Sequence, residues 1–220
     1  MKNKILSILF AVAVAVLVIT FSIGLPIYFR PFYYMQIDPL DITESTGEDY
    51  ETIKAAYDEL LDYLTIPGNE FGTGVFEYSE SGKSHFEDCK FLFDLNIIAL
   101  IVSLAVVVTL IILLRMDIFE LSRPFGLNIL FTVGASILLF FSSVAGLAAL
   151  DFDKAFEIFH TVFFPGKDNW IFSKYEDRII TALPQEFFMN CAILIVSSII
   201  ILSVTMMVVG IVCRGKKKNA

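Results

Sequence analysis

The sequence predicts an all-α integral membrane protein, with four transmembrane helices and an extracytoplasmic cap of short interfacial helices. Hydrophobic residues make up 56% of the chain, and the mean hydropathy of +0.73 is far above that of soluble domains. The apolar residues fall into four blocks, each long enough to cross a hydrocarbon core of about 30 Å as a helix. Because lipid satisfies no backbone polar group, such blocks must be helical. The predicted spans are residues 5–29, 91–114, 127–150 and 187–212.

The first block is predicted to be a retained span rather than a cleaved signal peptide. A cleavable apolar region is only about 7–15 residues long and ends at a small-residue site. This block is longer, and it continues into Pro26, Tyr28 and Phe29, an aromatic border typical of a membrane interface. We therefore expect one membrane domain over residues 1–220, whose cap is formed by residues 30–90 and 151–186.

The distribution of charge predicts that both termini lie in the cytoplasm. The two ends and the loop between the second and third spans carry eight basic residues and only Asp117 and Glu120 as acids. The two longer segments, in contrast, are strongly acidic, so the positive-inside rule places them outside the cell. The net charge of -8 therefore belongs to the outer face and argues against nucleic acid as a partner. The cytoplasmic basic residues are Lys2, Lys4, Arg115, Arg123, Arg214, Lys216, Lys217 and Lys218.

The first cap segment, residues 30–90, is predicted to contain one amphipathic helix. Arg30 and the aromatic residues that follow it are interpreted as an interfacial belt carrying one cation. Apolar residues recur at helical spacing over residues 49–64, and a Pro-Gly-Asn sequence at 67–69 ends that helix. Glycines around an apolar run at residues 72–82 predict a short hairpin or an ordered loop.

A capping motif is predicted at the start of the second span. Ser84 and Glu87 fit the S-x-x-E capping box, which places His85 in the first helical turn. The helix dipole favours a neutral imidazole there, whereas Glu87 and Asp88 favour the charged form. A helix start also holds His85 more rigidly than a loop would.

A second amphipathic helix is predicted over residues 151–164, because phenylalanines repeat there at i, i+4, i+7 and i+11. This pattern is typical of a helix that lies along the membrane interface. His160 borders the apolar face and follows Glu157 by three residues, so we expect it to contact that carboxylate. Pro165-Gly166 ends the helix, and a shorter helical stretch leads to Pro184 before the fourth span.

His85 and His160 are the only histidines, and both lie on the predicted outer side. Histidine can exchange a proton near neutrality because its unperturbed pKa is about 6.5. Each alone has a simple structural explanation, as a helix-cap residue or as an interfacial residue beside phenylalanines. Their joint placement where lipid headgroups and esters lie favours acid–base chemistry at the outer membrane surface.

The three cysteines do not form a disulfide framework. Cys89 lies at the outer end of the second span, Cys191 lies inside the fourth, and Cys213 lies at the cytoplasmic end. Free packed thiols are preferred over a disulfide between Cys89 and Cys191, since buried cysteine behaves as a small hydrophobe. Their spacing matches no zinc motif.

Two stretches around the histidines resemble a known family. The run His85-Phe86-Glu87-Asp88-Cys89-Lys90 is similar to the His-Met-x-Asp-Val-Lys signature of the bacterial lipoprotein intramolecular transacylase (Lit) family, and departs from it at Phe86 and Cys89. Residues 156–188 resemble the second block of that family. The matching short motifs are Phe156 four residues before His160, Phe163-Phe164, Asp168-Asn169-Trp170 and Pro184-Gln185-Glu186-Phe187-Phe188. Arg30 with its aromatic neighbours and Tyr63-Leu64 also fit, so the resemblance covers essentially the whole chain.

The resemblance implies a reaction on a membrane lipoprotein whose N-terminal cysteine carries a diacylglyceryl group. The acyl chain on the glycerol sn-2 oxygen would move to the cysteine's own α-amino group, giving an N-acylated lyso-lipoprotein. Such enzymes belong to low-GC Gram-positive bacteria. The expected place is the plasma membrane, with the active site on the extracytoplasmic face. The expected partners are the lipoprotein and membrane lipids; we expect a monomer that needs no metal and no cofactor.

The resemblance, together with the chemistry of acyl transfer, suggests a role for each site residue. Neutral His85 is the expected general base and protonated His160 the general acid, while the reverse assignment and a transient acyl-imidazole stay open. Asp88 and Glu157 are expected to orient the imidazoles. Substrate binding is assigned to Arg30 or Asn169 at the oxyanion, to Asp168 at the ammonium or an imidazole, and to Trp170 as a wall of the lipid pocket.

Two other classes of function stay open on the residues alone. A metal-dependent membrane hydrolase would use His85, Asp88, Glu157 and His160 as nitrogen and oxygen ligands. No H-x-x-x-H or H-E-x-x-H spacing places two such ligands on one helix, however. A non-enzymatic sensor or scaffold would instead use the acidic cap to bind a partner.

Overall fold

The computed structural model describes residues 3–216. Over this range the chain is all-α, as predicted, with four long apolar helices and five shorter ones. The long helices are α1 (Lys4–Tyr28), α5 (Glu80–Arg115), α6 (Ile129–Ala148) and α9 (Gln185–Lys216). The shorter helices are α2 (Pro31–Tyr34), α3 (Ile42–Thr46), α4 (Tyr50–Thr65), α7 (Phe152–Phe163) and α8 (Ile179–Ala182), and a 3-10 turn at Pro124–Gly126 joins α5 to α6.

The four long helices confirm the predicted spans, since each is long and apolar enough to cross a membrane. Helices α1 and α6 begin and end within two residues of the predicted bounds. Helix α5 differs, because it has 36 residues and therefore extends about 54 Å at 1.5 Å per residue. This length exceeds the hydrocarbon core of about 30 Å, and the excess precedes the predicted span.

The predicted capping box at Ser84 is wrong, because α5 already begins at Glu80. Ser79 caps the helix instead, and its Oγ accepts a hydrogen bond of 3.0 Å from the backbone N–H of Gly82. The backbone N–H and the hydroxyl of Ser79 both donate to Asp177 Oδ1 at 2.8 Å. His85 consequently lies in the second turn of α5, where the surrounding helix fixes its backbone.

The buried Asp177 carboxylate makes the start of α5 dependent on a distant loop. We expect Asp177→Ala to lower the free energy of unfolding by about 1–3 kcal/mol, because two half-buried donors on Ser79 lose their acceptor. Thermal unfolding in detergent should show a fall in midpoint of about 2–4 °C per kcal/mol. The matched control is Glu176→Ala at the exposed neighbouring position, and an equal fall there would contradict the assignment.

The chain divides into two compact units. The first, which we name the span unit, comprises Asn96–Leu147 and the described parts of Met1–Ile23 and Leu194–Ala220. The second, the cap unit, comprises Gly24–Leu95 and Ala148–Ile193.

Close helix contact in the span unit depends on glycine. A Cβ at Gly134 would lie 2.6 Å from the Ser203 carbonyl oxygen, and one at Gly210 would lie 2.8 Å from the Phe131 backbone nitrogen. Small residues let membrane helices approach closely in this way, because packing must replace the hydrophobic driving force that lipid removes. The single-domain organisation and the cytoplasmic placement of both termini stay predictions. Lys2, Lys217 and Lys218, which support that placement, lie outside the described residues.

The cap unit has an aromatic core that the sequence analysis assigned to the membrane interface. Tyr33 is fully buried, stacks on Tyr57 with ring centroids 3.8 Å apart, and donates a hydrogen bond of 2.7 Å to the Ala182 carbonyl oxygen. The interpretation of this stretch as a belt is therefore wrong for Tyr33. Burial raises the pKa of its phenol well above the usual range, so the group acts as a neutral donor.

Both predicted amphipathic helices of the cap are confirmed as α4 and α7. In the segment at residues 72–82, residues 72–79 form an ordered loop with no hairpin, and residues 80–82 belong to α5. The Thr73 hydroxyl donates to the Phe76 carbonyl oxygen at 2.6 Å, and the Phe76 side chain is buried in the cap core.

Candidate active site

His85 lies on α5 with only 5% of its surface exposed. Its Nε2 atom is 3.4 Å from the Sγ atom of Cys89, one helical turn further along. Its Nδ1 atom is buried, and among the described residues it has no hydrogen-bond partner. A buried polar atom without a partner is costly, so this nitrogen marks a place where a ligand can restore a hydrogen bond.

His160 lies in the last turn of α7 and is 6% exposed. Its Nδ1 atom donates a hydrogen bond of 2.7 Å to the Phe156 carbonyl oxygen. A carbonyl oxygen can only accept, so the proton of the neutral ring sits on Nδ1 and leaves a lone pair on Nε2. Burial lowers the pKa of His160 below its ordinary value of 6.5, and the Phe156 hydrogen bond opposes this only in part.

The structure brings the two imidazoles together, with ring centroids 5.7 Å apart. The loop that follows α7 encloses them. Phe164 lies 4.8 Å from the His85 ring and 5.7 Å from the His160 ring, and Trp170 stacks on His160 at 4.6 Å. Phe172 lies 5.4 Å from His85. The pair is therefore enclosed by aromatic rings that offer no carbonyl or carboxylate.

A polar network beside the rings joins the same loop to α5. One oxygen of Asp88 accepts from Lys167 Nζ at 2.5 Å, and the other accepts from Asn169 Nδ2 at 3.0 Å. Because a carboxylate only accepts, this contact also fixes which end of the Asn169 amide faces Asp88. The Asn169 Oδ1 atom is left buried, with no partner in the described part of the chain.

Three residues predicted for the site form no hydrogen bond with either imidazole in the part of the chain that the structure describes. Arg30 pairs with Asp58 at 3.0 Å and with Asp62, both on α4. Glu157 pairs with Lys154 at 2.6 Å, so the expected contact with His160 is not formed. Asp168 is exposed, and within residues 3–216 its side chain makes no hydrogen bond. Of the predicted residues, Trp170 stacks on His160, and Asp88 and Asn169 form the polar network beside the two rings.

Three further residues, Cys89, Lys167 and Phe172, lie at the site and were not expected there from the sequence. Cys89 was interpreted as a packed thiol, although its spacing of four residues from His85 on one helix was a readable signal. Lys167 and Phe172 carried no such signal, since tertiary folding brings their loop to α5. Cys89 and Cys191 are both free thiols, as preferred; the side chain of Cys213 lies outside the described part of the chain.

The ligand set considered for a metal is not assembled. Within residues 3–216, no three His, Cys, Asp or Glu side chains are grouped so that they could hold a metal ion. An open cleft of about 460 Å³ is lined by residues of α4 together with Asn69 and Glu70, and neither histidine borders it.

Comparison with solved structures shows the same fold in a lipoprotein intramolecular transacylase. The membrane integral lipoprotein intramolecular transacylase Lit from Bacillus cereus superposes with a TM-score of 0.87 at 24% sequence identity, over 98% of this chain and 97% of that one. The same Bacillus cereus protein with an H85R mutation gives a TM-score of 0.79, over 98% and 93% of the two chains. Its form with an H85A mutation gives 0.80, over 98% and 95%; both are again 24% identical.

No curated protein matches the chain significantly. The sequence model of the family described as "Lipoprotein intramolecular transacylase Lit" matches residues 8–188. This match includes most of the first span, the second and third spans, both histidines, and the cap segments at residues 30–90 and 151–186. The chain is a multi-pass bacterial membrane protein and an acyltransferase that acts on lipoproteins. It therefore belongs to the lipoprotein intramolecular transacylase Lit family.

Proposed function

We propose that His85 and His160 catalyse the transfer of the sn-2 acyl chain of a diacylglyceryl lipoprotein to the α-amino group of its own N-terminal cysteine. The observation that carries this proposal is the pair of buried imidazoles 5.7 Å apart, enclosed by aromatic rings. Amine and ester belong to one substrate molecule, so the enzyme gains by holding them in contact. Orientation of this kind can contribute up to about 7–11 kcal/mol to lowering the barrier.

The geometry favours His160 as the general base, the reverse of the expectation from the sequence. Its Nδ1 is occupied by Phe156, and its Nε2 lone pair is the free basic site. The lowered pKa keeps the ring neutral at neutral pH, as a base requires.

The reaction balances with one proton shuttled by His160. The neutral amine attacks the ester carbonyl carbon, a C–N bond forms, and the carbonyl oxygen becomes an oxyanion. His160 Nε2 takes a proton from the attacking nitrogen, and collapse of the tetrahedral intermediate breaks the bond to the sn-2 oxygen. His160 returns the proton to that oxygen, giving an amide and an alcohol. His85 serves in this scheme as a hydrogen-bond donor to the oxyanion.

The side chain of Asn169 is better placed to bind the substrate amine than the oxyanion, which was the role expected from the sequence. Its Nδ2 is used by Asp88, which leaves Oδ1 as a buried acceptor for an N–H of the attacking amine. Asp88 and Lys167 then act by holding the loop that carries Asn169 and Trp170. Trp170 keeps its expected role as a wall of the acyl pocket, whereas Arg30 and Glu157 serve the fold of the cap.

We also propose that the site faces the extracytoplasmic side and that one chain suffices for activity. The concentration of basic residues at the termini and middle loop supports this orientation. The histidine pair and the residues around it all belong to one cap unit of one chain, which supports a monomer in contact with membrane lipids.

Tandem mass spectrometry of a lipoprotein's N-terminal peptide tests the function directly. Intramolecular transfer conserves every atom, so expression of the chain should leave the peptide mass unchanged. Fragmentation should then place one acyl chain on the cysteine nitrogen. Loss of one acyl chain from the peptide would indicate a hydrolase, and an unchanged fragmentation pattern would indicate a non-enzymatic protein; either result contradicts the proposal.

A further inference from the structure

We infer that Cys89 is a positioning residue, which donates its S–H to His85 Nε2 and so holds the ring hydrogen on Nδ1, facing the reacting ester. The inference rests on the proposed function for the identity of that ester. Its structural basis is separate: the 3.4 Å contact between Cys89 Sγ and His85 Nε2, and the buried Nδ1 with no partner among the described residues.

The chemistry of the two groups sets the direction of this hydrogen bond. Sulfur is a weak acceptor, whereas an unprotonated imidazole nitrogen is a good one, so S–H to Nε2 is favoured over Nε2–H to sulfur. Both residues lie one turn apart on the rigid helix α5. Cys89 is further held by packing against the cap core. The thiol therefore restrains both the rotation and the tautomer of the His85 ring.

His85 Nδ1 has no hydrogen-bond partner among the described residues, so its hydrogen is available to a ligand. The rings nearest to His85 are those of Phe164 at 4.8 Å, Phe172 at 5.4 Å and His160 at 5.7 Å. His160 has its own Nδ1 engaged with Phe156. The two imidazoles thus offer different hydrogen-bonding groups: Nδ1 of His85 is a donor and Nε2 of His160 is an acceptor. An ester oxygen and an amine N–H are the matching pair of groups in the substrate.

Nitrogen NMR of the imidazoles tests this tautomer without any substrate. Because the chain has only two histidines, ¹⁵N-histidine labelling of His160→Gln leaves His85 as the single reporter. The expected spectrum shows Nδ1 protonated and Nε2 unprotonated, and Cys89→Ala should remove this preference. A proton on Nε2 while Cys89 is present, or an identical spectrum in Cys89→Ala, would overturn the inference. Neither outcome depends on whether the chain transfers acyl groups.

Kinetics of Cys89 variants separate positioning from packing. Cys89→Ala should lower kcat about 3- to 10-fold with little change in KM, as expected for the loss of one hydrogen bond. Cys89→Ser should restore most of the rate, because its hydroxyl is again a donor. Cys191→Ala is the matched control, since that free cysteine packs against the same core and should leave kcat unchanged. Equal rates in the Ala and Ser variants would overturn the inference.

Amide substitutions of His85 identify the reacting nitrogen. The side-chain nitrogen of Asn occupies the place of imidazole Nδ1, and that of Gln occupies the place of Nε2. His85→Asn should therefore be about 10-fold or more faster than His85→Gln, since only the first keeps the oxyanion donor. A faster Gln variant would show that Nε2 reacts, and would contradict the role given to Cys89. If the wild-type chain makes no N-acyl product at all, the proposed function fails instead.

Discussion

His160→Gln is expected to slow acyl transfer by about 10²–10⁴-fold, the usual contribution of a general base. Gln can still donate and accept hydrogen bonds, but its amide has no basic nitrogen that could take the proton from the attacking amine. The loss should appear in kcat, because the proton moves only as the tetrahedral intermediate forms. A time course of N-acyl product formation with purified protein and a diacylglyceryl peptide provides the measurement.

The control for this variant is Glu157→Gln on the same helix. Glu157 is exposed and pairs with Lys154, so its replacement should change kcat less than about 2-fold. Both proteins should show similar thermal unfolding. If His160→Gln kept more than about a tenth of the wild-type rate, His160 would not be the proton shuttle.

The second large effect is an unusually steep fall of activity in acid. The substrate amine, with a pKa of about 7.7–8.0, and His160 must both be unprotonated for reaction. Burial lowers the pKa of His160 below 6.5, because the charged imidazolium is disfavoured away from water. The rate should therefore fall about 10-fold per pH unit below the amine pKa, and about 100-fold per unit once the pH is also below the pKa of His160.

Single-turnover rates from about pH 5 to about pH 9 would locate both breaks. The lower break should persist in His85→Asn, which removes the other imidazole, and should vanish from the residual activity of His160→Gln. A lower break above pH 6.5 would contradict the burial effect on the pKa of His160.

The fold was predictable because four apolar blocks leave the backbone no alternative to helices in lipid. The start of α5 was not predictable, since the cap at Ser79 is fixed by Asp177, which lies 98 residues away in the chain. The aromatic stretch after α1 illustrates the same limit. Tyr33 is an amphipathic residue suited to a membrane interface, and only its partners Tyr57 and Ala182 show that it belongs to a buried core.

The centre of the candidate site was predictable from the scarcity of histidine, but its periphery was not. His85 and His160 were identified because the chain has no others. Arg30 and Glu157 pair with Asp58 and Lys154, and the sequence could not show these contacts because a charged side chain takes the nearest available counter-charge. For Asn169 we propose a contact with the substrate amine in place of the oxyanion. Which end of an amide is free depends on its neighbour Asp88, which approaches only in the folded chain.

The aromatic enclosure of the histidine pair has a consequence for the choice between two competing nucleophiles. Bulk water is far more concentrated than any single amine, yet it reaches neither imidazole easily when Phe164, Phe172 and Trp170 cover them. The substrate amine enters the site together with its own ester, whereas a water molecule must pass the apolar aromatic side chains before it can attack that ester. The lipoprotein therefore keeps its fatty acid, which is not released into the bilayer. This outcome depends on the enclosing aromatic side chains as much as on the imidazoles.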